Sequence, residues 1–165
     1  MASARTWITP KQAREALESG TGKGVRIAIL DSGIERDHPA LDDIPISDRL
    51  VVTENEDGPL VVNDEKGDAF GHGTAVAKVI HDVAPEVELG SFKVMQPVEG
   101  QTSGKASLLQ HAVSAAIERG YHIINCSFGT PARSVIFRYF KGWIDEAYLN
   151  DVHIVTACNL SLIHI

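Results

Sequence analysis

Short apolar segments alternate along this chain with longer segments that have the periodicity of amphipathic helices. The apolar segments are predicted strands over residues 25–30, 87–94, 121–126 and 152–157. The helical segments between them cover residues 72–83, 107–119 and 134–149. Parallel strands joined by helices need right-handed crossovers, which cover both faces of the sheet. The sequence therefore predicts an α/β fold of three layers with a mainly parallel sheet.

Each of these helices is predicted to pack one apolar face on the sheet. The inward residues are Ala75, Val76, Val79, Ile80 and Val83 in the first helix, Leu109, Ala112, Val113, Ala116 and Ile117 in the second, and Ile136, Phe140, Trp143 and Ala147 in the third. Another helix is predicted to begin at Pro10 with Thr9 as its cap. Residues 34–70 are rich in Asp, Glu, Pro and Gly, which indicates a surface excursion with room for a hairpin.

Length and charge narrow the classes of protein to which the chain can belong. Its 165 residues suit one domain, and a net charge of -7 with no basic cluster argues against nucleic acid or an anionic membrane as partner. No apolar stretch resembles a signal peptide or a membrane span, so we expect a cytoplasmic protein, or a secreted one if a leader is missing. Cys126 and Cys158 follow apolar strands and are expected to be reduced core thiols.

Asp31 and His72 are the first candidates for chemistry. Asp31 ends a predicted buried strand, and His72 lies between two glycines at a predicted helix start. Taken singly, they are equally a turn-forming aspartate and a capping or surface histidine. Together they are two thirds of a catalytic triad, in which the acid fixes the imidazole and the imidazole takes a proton from a hydroxyl. Ser127 and Asn159 also follow strand ends, where function gathers in parallel sheets.

Five sequence blocks resemble the subtilase (subtilisin-like) serine protease family, in the family's order. The residues around Asp31 and His72 resemble its catalytic-acid and catalytic-histidine blocks. The other three blocks cover residues 84–94, which resemble the next strand, 123–129, which resemble the substrate-binding strand, and 155–159, which resemble the oxyanion block. The resemblance implies a subtilisin-like three-layer fold and cleavage of peptide bonds by an Asp/His/Ser triad.

The resemblance also implies a role for each matching residue. Asp31 would orient His72, and His72 would act as general base and then as general acid. Asn159 would donate its side-chain amide to the oxyanion. The main chain of Ser127, Phe128 and Gly129 would bind an extended peptide or protein substrate, with Cys158 beside the specificity pocket. No cofactor or metal is implied, and the oligomeric state stays open.

The chain also departs from the family pattern at three places. Ala40 stands where calcium-binding members commonly have an aspartate, so a tight calcium site is not expected. Cys158 stands where the family usually has glycine, and its side chain would narrow the pocket. The nucleophile motif Gly-Thr-Ser does not occur, and Ser161 lacks the required context. We therefore expect a truncated, inactive chain that is incomplete at the C-terminus.

The expected division of the chain is an N-terminal helix and lead-in over residues 1–24, a partial catalytic domain over 25–159 and an atypical tail over 160–165. Three other functions remain open. A subtilase-like module could bind extended peptides without cutting them. Asp31 could serve as a phosphoacceptor or ligand site, although His72 has no role in that reading. A metal site is the weakest alternative, because no ligand spacing suits its four candidate residues, which are His72, His81, Asp151 and His153.

Overall fold

The computed structural model describes residues 8–41, 44–98, 101–103, 105–127 and 140–157. The helices are α1 (Pro10–Ser19), α2 (His72–Val83), α3 (Ala106–Glu118) and α4 (Lys141–Leu149). The strands are β1 (Arg26–Asp31), β2 (Ile46–Asn55), β3 (Gly58–Asn63), β4 (Glu88–Lys93), β5 (Gln96–Val98), β6 (Gln101–Ser103), β7 (Ile123–Cys126) and β8 (His153–Thr156). A short 3-10 helix covers Pro39–Leu41.

Six of these strands form one sheet in the order β3-β2-β4-β1-β7-β8. β1 is central, and it pairs in parallel with β4 on one side and with β7 on the other. β2 and β8 extend the parallel sheet, while β3 runs antiparallel to β2 at one edge. The predicted α/β fold with a mainly parallel sheet is confirmed. The carboxyl end of β1, where Asp31 lies, is therefore in the middle of the sheet edge.

Helices cover both faces of the sheet because β1 has apolar side chains on both of its faces. Ala28 and Leu30 pack in a cluster with α3 and with Trp143 of α4. Ile29 packs on the opposite face, in a cluster that includes Ala77 of α2. This alternation along one strand separates α2 from α3 and α4, which gives the three predicted layers.

The prediction of a surface excursion over residues 34–70 was wrong in part. Its two apolar pieces do form a hairpin of β2 and β3, but β2 is an inner strand of the main sheet. Leu50 and Val52 are buried in β2, and Ile34 and Leu41 are buried in the segment between β1 and β2. The segment is polar on average, and its longest apolar runs are three residues, so that only pairing with β4 makes Leu50 and Val52 a core face.

The predicted inward face of α2 was also partly wrong. The buried residues of the helix are Gly73, Thr74 and Ala77, while Ala75, Val79 and Val83 are exposed. Val76 and Ile80 pack against the core cluster as predicted. The helix is turned towards its small residues because its first turn approaches the backbone after β1 very closely.

The other helices follow their sequence patterns. In α3 the predicted inward residues Leu109, Ala112, Val113 and Ala116 are buried, and Ile117 packs against the same cluster. In α4 Trp143 and Ala147 are buried and Phe140 packs beside them, while Ile136 lies outside the described residues. Thr9 caps α1 with the predicted Pro10 at its first position, and α1 buries none of its residues.

Cys126 at the end of β7 has a free thiol and is fully buried, as predicted. Burial, together with the nearby negative charge of Asp31, raises the pKa of this thiol to about 12. A thiol with so high a pKa is a poor nucleophile at neutral pH. Cys158 and the tail 160–165 lie outside the described residues. Among the helices that the structure describes, none has the length and apolar character needed to cross a bilayer.

Candidate active site

Asp31 is the last residue of β1, and its side chain is only 1% exposed. The backbone N–H of Ser32 donates to Asp31 Oδ1 at 2.7 Å. The Asp31 backbone oxygen accepts from the N–H groups of Val94 and Met95, at 2.9 and 3.2 Å, just beyond the neighbouring strand. Hydrogen bonds therefore hold both the backbone and the side chain of Asp31. Because the side chain is buried, neither carboxylate oxygen is accessible to a phosphoryl donor, which argues against Asp31 as a phosphoacceptor.

His72 is the first residue of α2, and its ring lies directly on this carboxylate. His72 Nδ1 is 2.8 Å from Asp31 Oδ1 and 2.9 Å from Asp31 Oδ2. An ionised carboxylate only accepts hydrogen bonds, so the proton of the neutral imidazole belongs on Nδ1. Nε2 is then the free acceptor on a side chain that is 50% exposed. The structure thus brings together the two residues that the sequence singled out first, in the geometry of a fixed base.

Two glycines allow α2 to begin so close to Asp31. Gly71 takes a left-handed conformation, with φ of 80°, immediately before the helix. A Cβ at Gly73 would lie 2.1 Å from the backbone oxygen of Gly33 and 3.2 Å from the Cβ of Asp31. Atoms other than hydrogen do not approach so closely without bonding, so only glycine fits at residue 73. The Gly-His-Gly sequence is therefore a requirement of backbone packing as well as a feature of the motif.

The first turn of α2 is capped by side chains from other segments, because Gly71 has none to offer. Ser32 Oγ accepts from the N–H of Gly73 at 3.1 Å. Asp68 Oδ2 accepts from the N–H of Thr74 at 2.8 Å and from its hydroxyl at 2.5 Å. Both N–H groups belong to the helix start and have no partner within the helix. Asp68 was not predicted as a site residue, and its one signal in the sequence is its place as an acid four residues before a helix start.

Burial of Asp68 favours its neutral form, but hydrogen bonds to the carboxylate outweigh that effect. The donors are the side chains of Ser32 and Thr74 and the backbone N–H groups of Phe70 and Thr74. Together they hold the pKa of Asp68 below its ordinary value of 3.8. The ionised form is therefore the one that the folded state prefers.

A pH dependence of stability follows from this lowered pKa. Because the folded pKa is lower than the unfolded one, the contribution of Asp68 is present above 3.8 and is lost as the pH falls through the folded value. We expect Asp68→Asn to lower the free energy of unfolding at neutral pH. The deficit should stay constant down to about pH 5 and narrow below it. Urea unfolding of both proteins at a series of pH values measures this difference, and a deficit that widens in acid would contradict it.

A buried lysine, which was also not predicted as a site residue, fixes the loop that leads to His72. The side chain of Lys93, at the end of β4, is only 7% exposed. Its ammonium donates to the backbone oxygen of Gly67 at 2.5 Å and lies 3.8 Å from Asp64 Oδ1. Asp64 is also buried, and its Oδ1 accepts from the N–H of Lys66 at 3.1 Å. Buried charges of opposite sign thus hold the loop before Asp68.

The remaining predicted site residues are less completely placed. Ser127 directly follows β7 and is half-buried, and its hydroxyl accepts from the side-chain amide of Asn125 at 2.8 Å. Phe128, Gly129, Cys158 and Asn159 lie outside the described residues, so their substrate-binding and oxyanion roles stay predictions. Within the described ranges no three His, Cys, Asp or Glu side chains lie close enough to share a metal ion.

Comparison with known proteins gives one consistent family. The model of the family described as "Subtilase family" matches residues 22–158. An intracellular serine protease of Paenibacillus polymyxa is 33% identical over 129 residues, which are 73% of this chain and 37% of that protein. The minor extracellular protease Vpr of Bacillus subtilis is 32% identical over 127 residues, which are 71% of this chain and 15% of that protein. One relative is named intracellular and the other extracellular, so these names assign no compartment.

The fold gives the same result as the sequence comparisons. The crystal structure of a lanthipeptide protease superposes with a TM-score of 0.65 at 26% identity, over 86% of this chain and 41% of that one. The 165 residues thus span well under half of each of these three proteins.

Proposed function

This chain belongs to the subtilase family, and from that premise we propose that it supplies the acid and the base of a serine endopeptidase. The contact of His72 Nδ1 with Asp31 at 2.8 Å is the observation that carries the proposal. Asp31 is buried while His72 is half exposed, so the pair has one side closed to water and one side open to a reactant. The substrates are peptides or proteins in extended conformation.

In the proposed reaction, Nε2 of His72 takes the proton of a serine hydroxyl as the oxygen attacks a peptide carbonyl. The imidazole becomes positively charged, and the Asp31 carboxylate stabilises that charge without taking the proton. Nε2 then returns the proton to the leaving amine, and the acyl group is later released to water. The amide of Asn159 would stabilise the negative oxygen of the tetrahedral intermediate. The main chain of Ser127, Phe128 and Gly129 would hold the peptide by strand addition.

The nucleophile of this reaction would come from outside the 165 residues. Their sequence contains no Gly-Thr-Ser motif and no Gly-x-Ser-x-Gly elbow. We therefore propose that these residues alone do not turn over peptides, although they hold the acid, the base and the matching substrate-binding block.

A segment exchange with an active relative tests the proposal. Residues 22–158 would replace the matching segment of the Paenibacillus polymyxa protease, which keeps its own remaining residues. We expect the exchanged protein to cleave casein and to form a serine adduct with a fluorophosphonate probe. The 165-residue chain alone should form none. Serine labelling of the short chain, or a folded exchanged protein that neither labels nor cleaves, would contradict the proposal.

A peptide-binding module without turnover is the second candidate, and the missing nucleophile motif favours it. Both candidates share the strand that would hold the peptide, so binding alone does not separate them. Under this reading the 165 residues bind an extended peptide saturably, while the folded exchanged protein stays inactive. Calorimetric titration with a casein-derived peptide, run beside the exchange experiment, distinguishes the two.

A further inference from the structure

We infer that Asp68 is a positioning residue that holds His72 against Asp31, through one network joining the end of β1 to the start of α2. The inference rests on the proposed function, since it concerns the same acid and base. Asp68 acts through its neighbours Ser32 and Thr74. Each of these residues is close in sequence to one member of the pair.

On the acid side, Asp68 Oδ1 binds the residue that follows Asp31. The hydroxyl of Ser32 donates to Oδ1 at 2.7 Å, and the N–H of Phe70 donates to the same oxygen at 2.9 Å. Ser32 is fully buried, and its own N–H binds the Asp31 carboxylate. A shift of Asp68 would therefore reach Asp31 through one intervening residue.

On the base side, Asp68 Oδ2 binds the helix that begins with His72. Both the N–H and the hydroxyl of Thr74 donate to Oδ2, and the same hydroxyl accepts from the N–H of Glu35 at 2.9 Å. Ser32 closes the network, because its oxygen also accepts from the N–H of Gly73. Gly73 and Thr74, the two residues after His72, are thus bound by Ser32 and Asp68, which are also bound to each other.

The network is anchored from below by the buried lysine. Lys93 fixes the backbone of Gly67, directly before Asp68, and the N–H of Ala69 donates to the backbone oxygen of Ser32 at 3.0 Å. The residues on both sides of Asp68 are therefore restrained. A capping side chain at residue 71 would accept from the free N–H groups at the start of α2, but it would not fix the distance between α2 and β1. Asp68 accepts from an N–H group of α2 and also binds Ser32 after β1, so it fixes that distance.

An asparagine at residue 68 would have the same shape and could not replace the carboxylate. Each oxygen of Asp68 accepts a hydrogen bond from a backbone N–H, from Phe70 at Oδ1 and from Thr74 at Oδ2. A backbone N–H cannot become an acceptor, so the NH₂ group of asparagine would face a donor in either orientation. Asp68→Asn therefore breaks one side of the network at almost no change in volume.

The test measures His72 directly in the 165-residue chain, so it needs no nucleophile. At about pH 8, where an ordinary imidazole is neutral, nitrogen-15 spectra report the tautomer of His72 and the exchange of its Nδ1 proton with water. We expect Asp68→Asn to speed that exchange about tenfold, the factor that one lost hydrogen bond corresponds to. Asp82→Asn is the matched control, because Asp82 is an exposed acid of the same helix that pairs only with Lys78 among the contacts described. The control should exchange as the unmodified chain does.

Unchanged exchange and tautomer in a folded Asp68→Asn variant would overturn the inference. If that variant does not fold, Ser32→Ala decides, since it removes the hydroxyl that joins Asp68 to the N–H of Gly73 and leaves Asp68 bound to Thr74 and Phe70. Faster exchange in Ser32→Ala then supports the inference, and unchanged exchange overturns it. In the exchanged protease, Asp68→Asn should lower kcat with little change in KM. Should that protease be inactive, the proposed function fails while the spectra still judge Asp68.

Discussion

Asp31→Asn in the exchanged protease is expected to lower kcat by about four orders of magnitude, with KM nearly unchanged. The N–H of Ser32 donates to Asp31 Oδ1, so the oxygen of the asparagine would stay at that position. Its NH₂ group would then take the place of Oδ2, 2.9 Å from His72 Nδ1, where it donates to an unprotonated Nδ1 and repels a protonated one. The imidazole proton moves to Nε2, and His72 can no longer take a proton from the serine.

His72→Ala in the same protein should cost more, about six orders of magnitude in kcat, because it removes the base itself. His81→Ala is the matched control, since His81 lies in the last turn of the same helix, and it should leave kcat within a factor of about two. Rates of peptide hydrolysis give all three values. Nitrogen-15 spectra of the 165-residue chain should show the switch to the Nε2–H tautomer in Asp31→Asn. An Asp31→Asn enzyme within tenfold of the parent would contradict the proposed roles.

The meeting of Asp31 and His72 could be predicted because local rules place each of them. An acid after a buried parallel strand lies at the carboxyl edge of the sheet, and a histidine between glycines starts the helix that crosses back over it. Both rules depend on residues next to the site. They hold here because the strand register and the helix start match the sequence pattern within a residue.

Asp68 and Lys93 could not be predicted in this way, because their partners are distant in sequence. Asp68 lies in a segment rich in acids, and its partner Ser32 is 36 residues away. Lys93 is the last residue of β4, a place where a lysine normally extends into water. In its buried position its ammonium contacts Asp64 and the carbonyl of Gly67, which belong to the segment after β3. The spacing of residues along the chain does not predict contacts of this kind.

Contacts between distant segments also explain the two errors in the predicted fold. Hydrophobic periodicity predicted that Val79 and Val83 face inward, but the close approach of Gly73 sets the rotation of α2 instead. For β2, Leu50 and Val52 are two residues apart in a polar segment, and they form a core face only beside β4. In both cases a contact between distant segments overrides a local pattern.

Gly73→Ala is expected to destabilise the 165-residue chain by at least about 2 kcal/mol, because the atoms that the new Cβ would meet belong to Gly33 and Asp31, which the site itself holds in place. The backbone oxygen of Gly33 would be 2.1 Å away, and Gly33 itself has φ of 101° and lies against Gly67. Flexible side chains can move aside at small cost, but a backbone held on both sides cannot. Relief of the clash requires α2 to move outward, which lengthens the contact between His72 Nδ1 and Asp31.

Gly142→Ala is the matched control, because it introduces the same methyl group into another helix. The nearest atom to a Cβ at Gly142 is Gln110 Nε2 at 4.0 Å, so the methyl meets open space. Alanine there should stabilise the chain by about 0.5–1 kcal/mol through helix propensity. Urea unfolding of the three proteins should therefore give changes of opposite sign for two identical substitutions. A Gly73→Ala variant as stable as the parent, with its His72 tautomer unchanged, would show that the close approach does not set the position of the base.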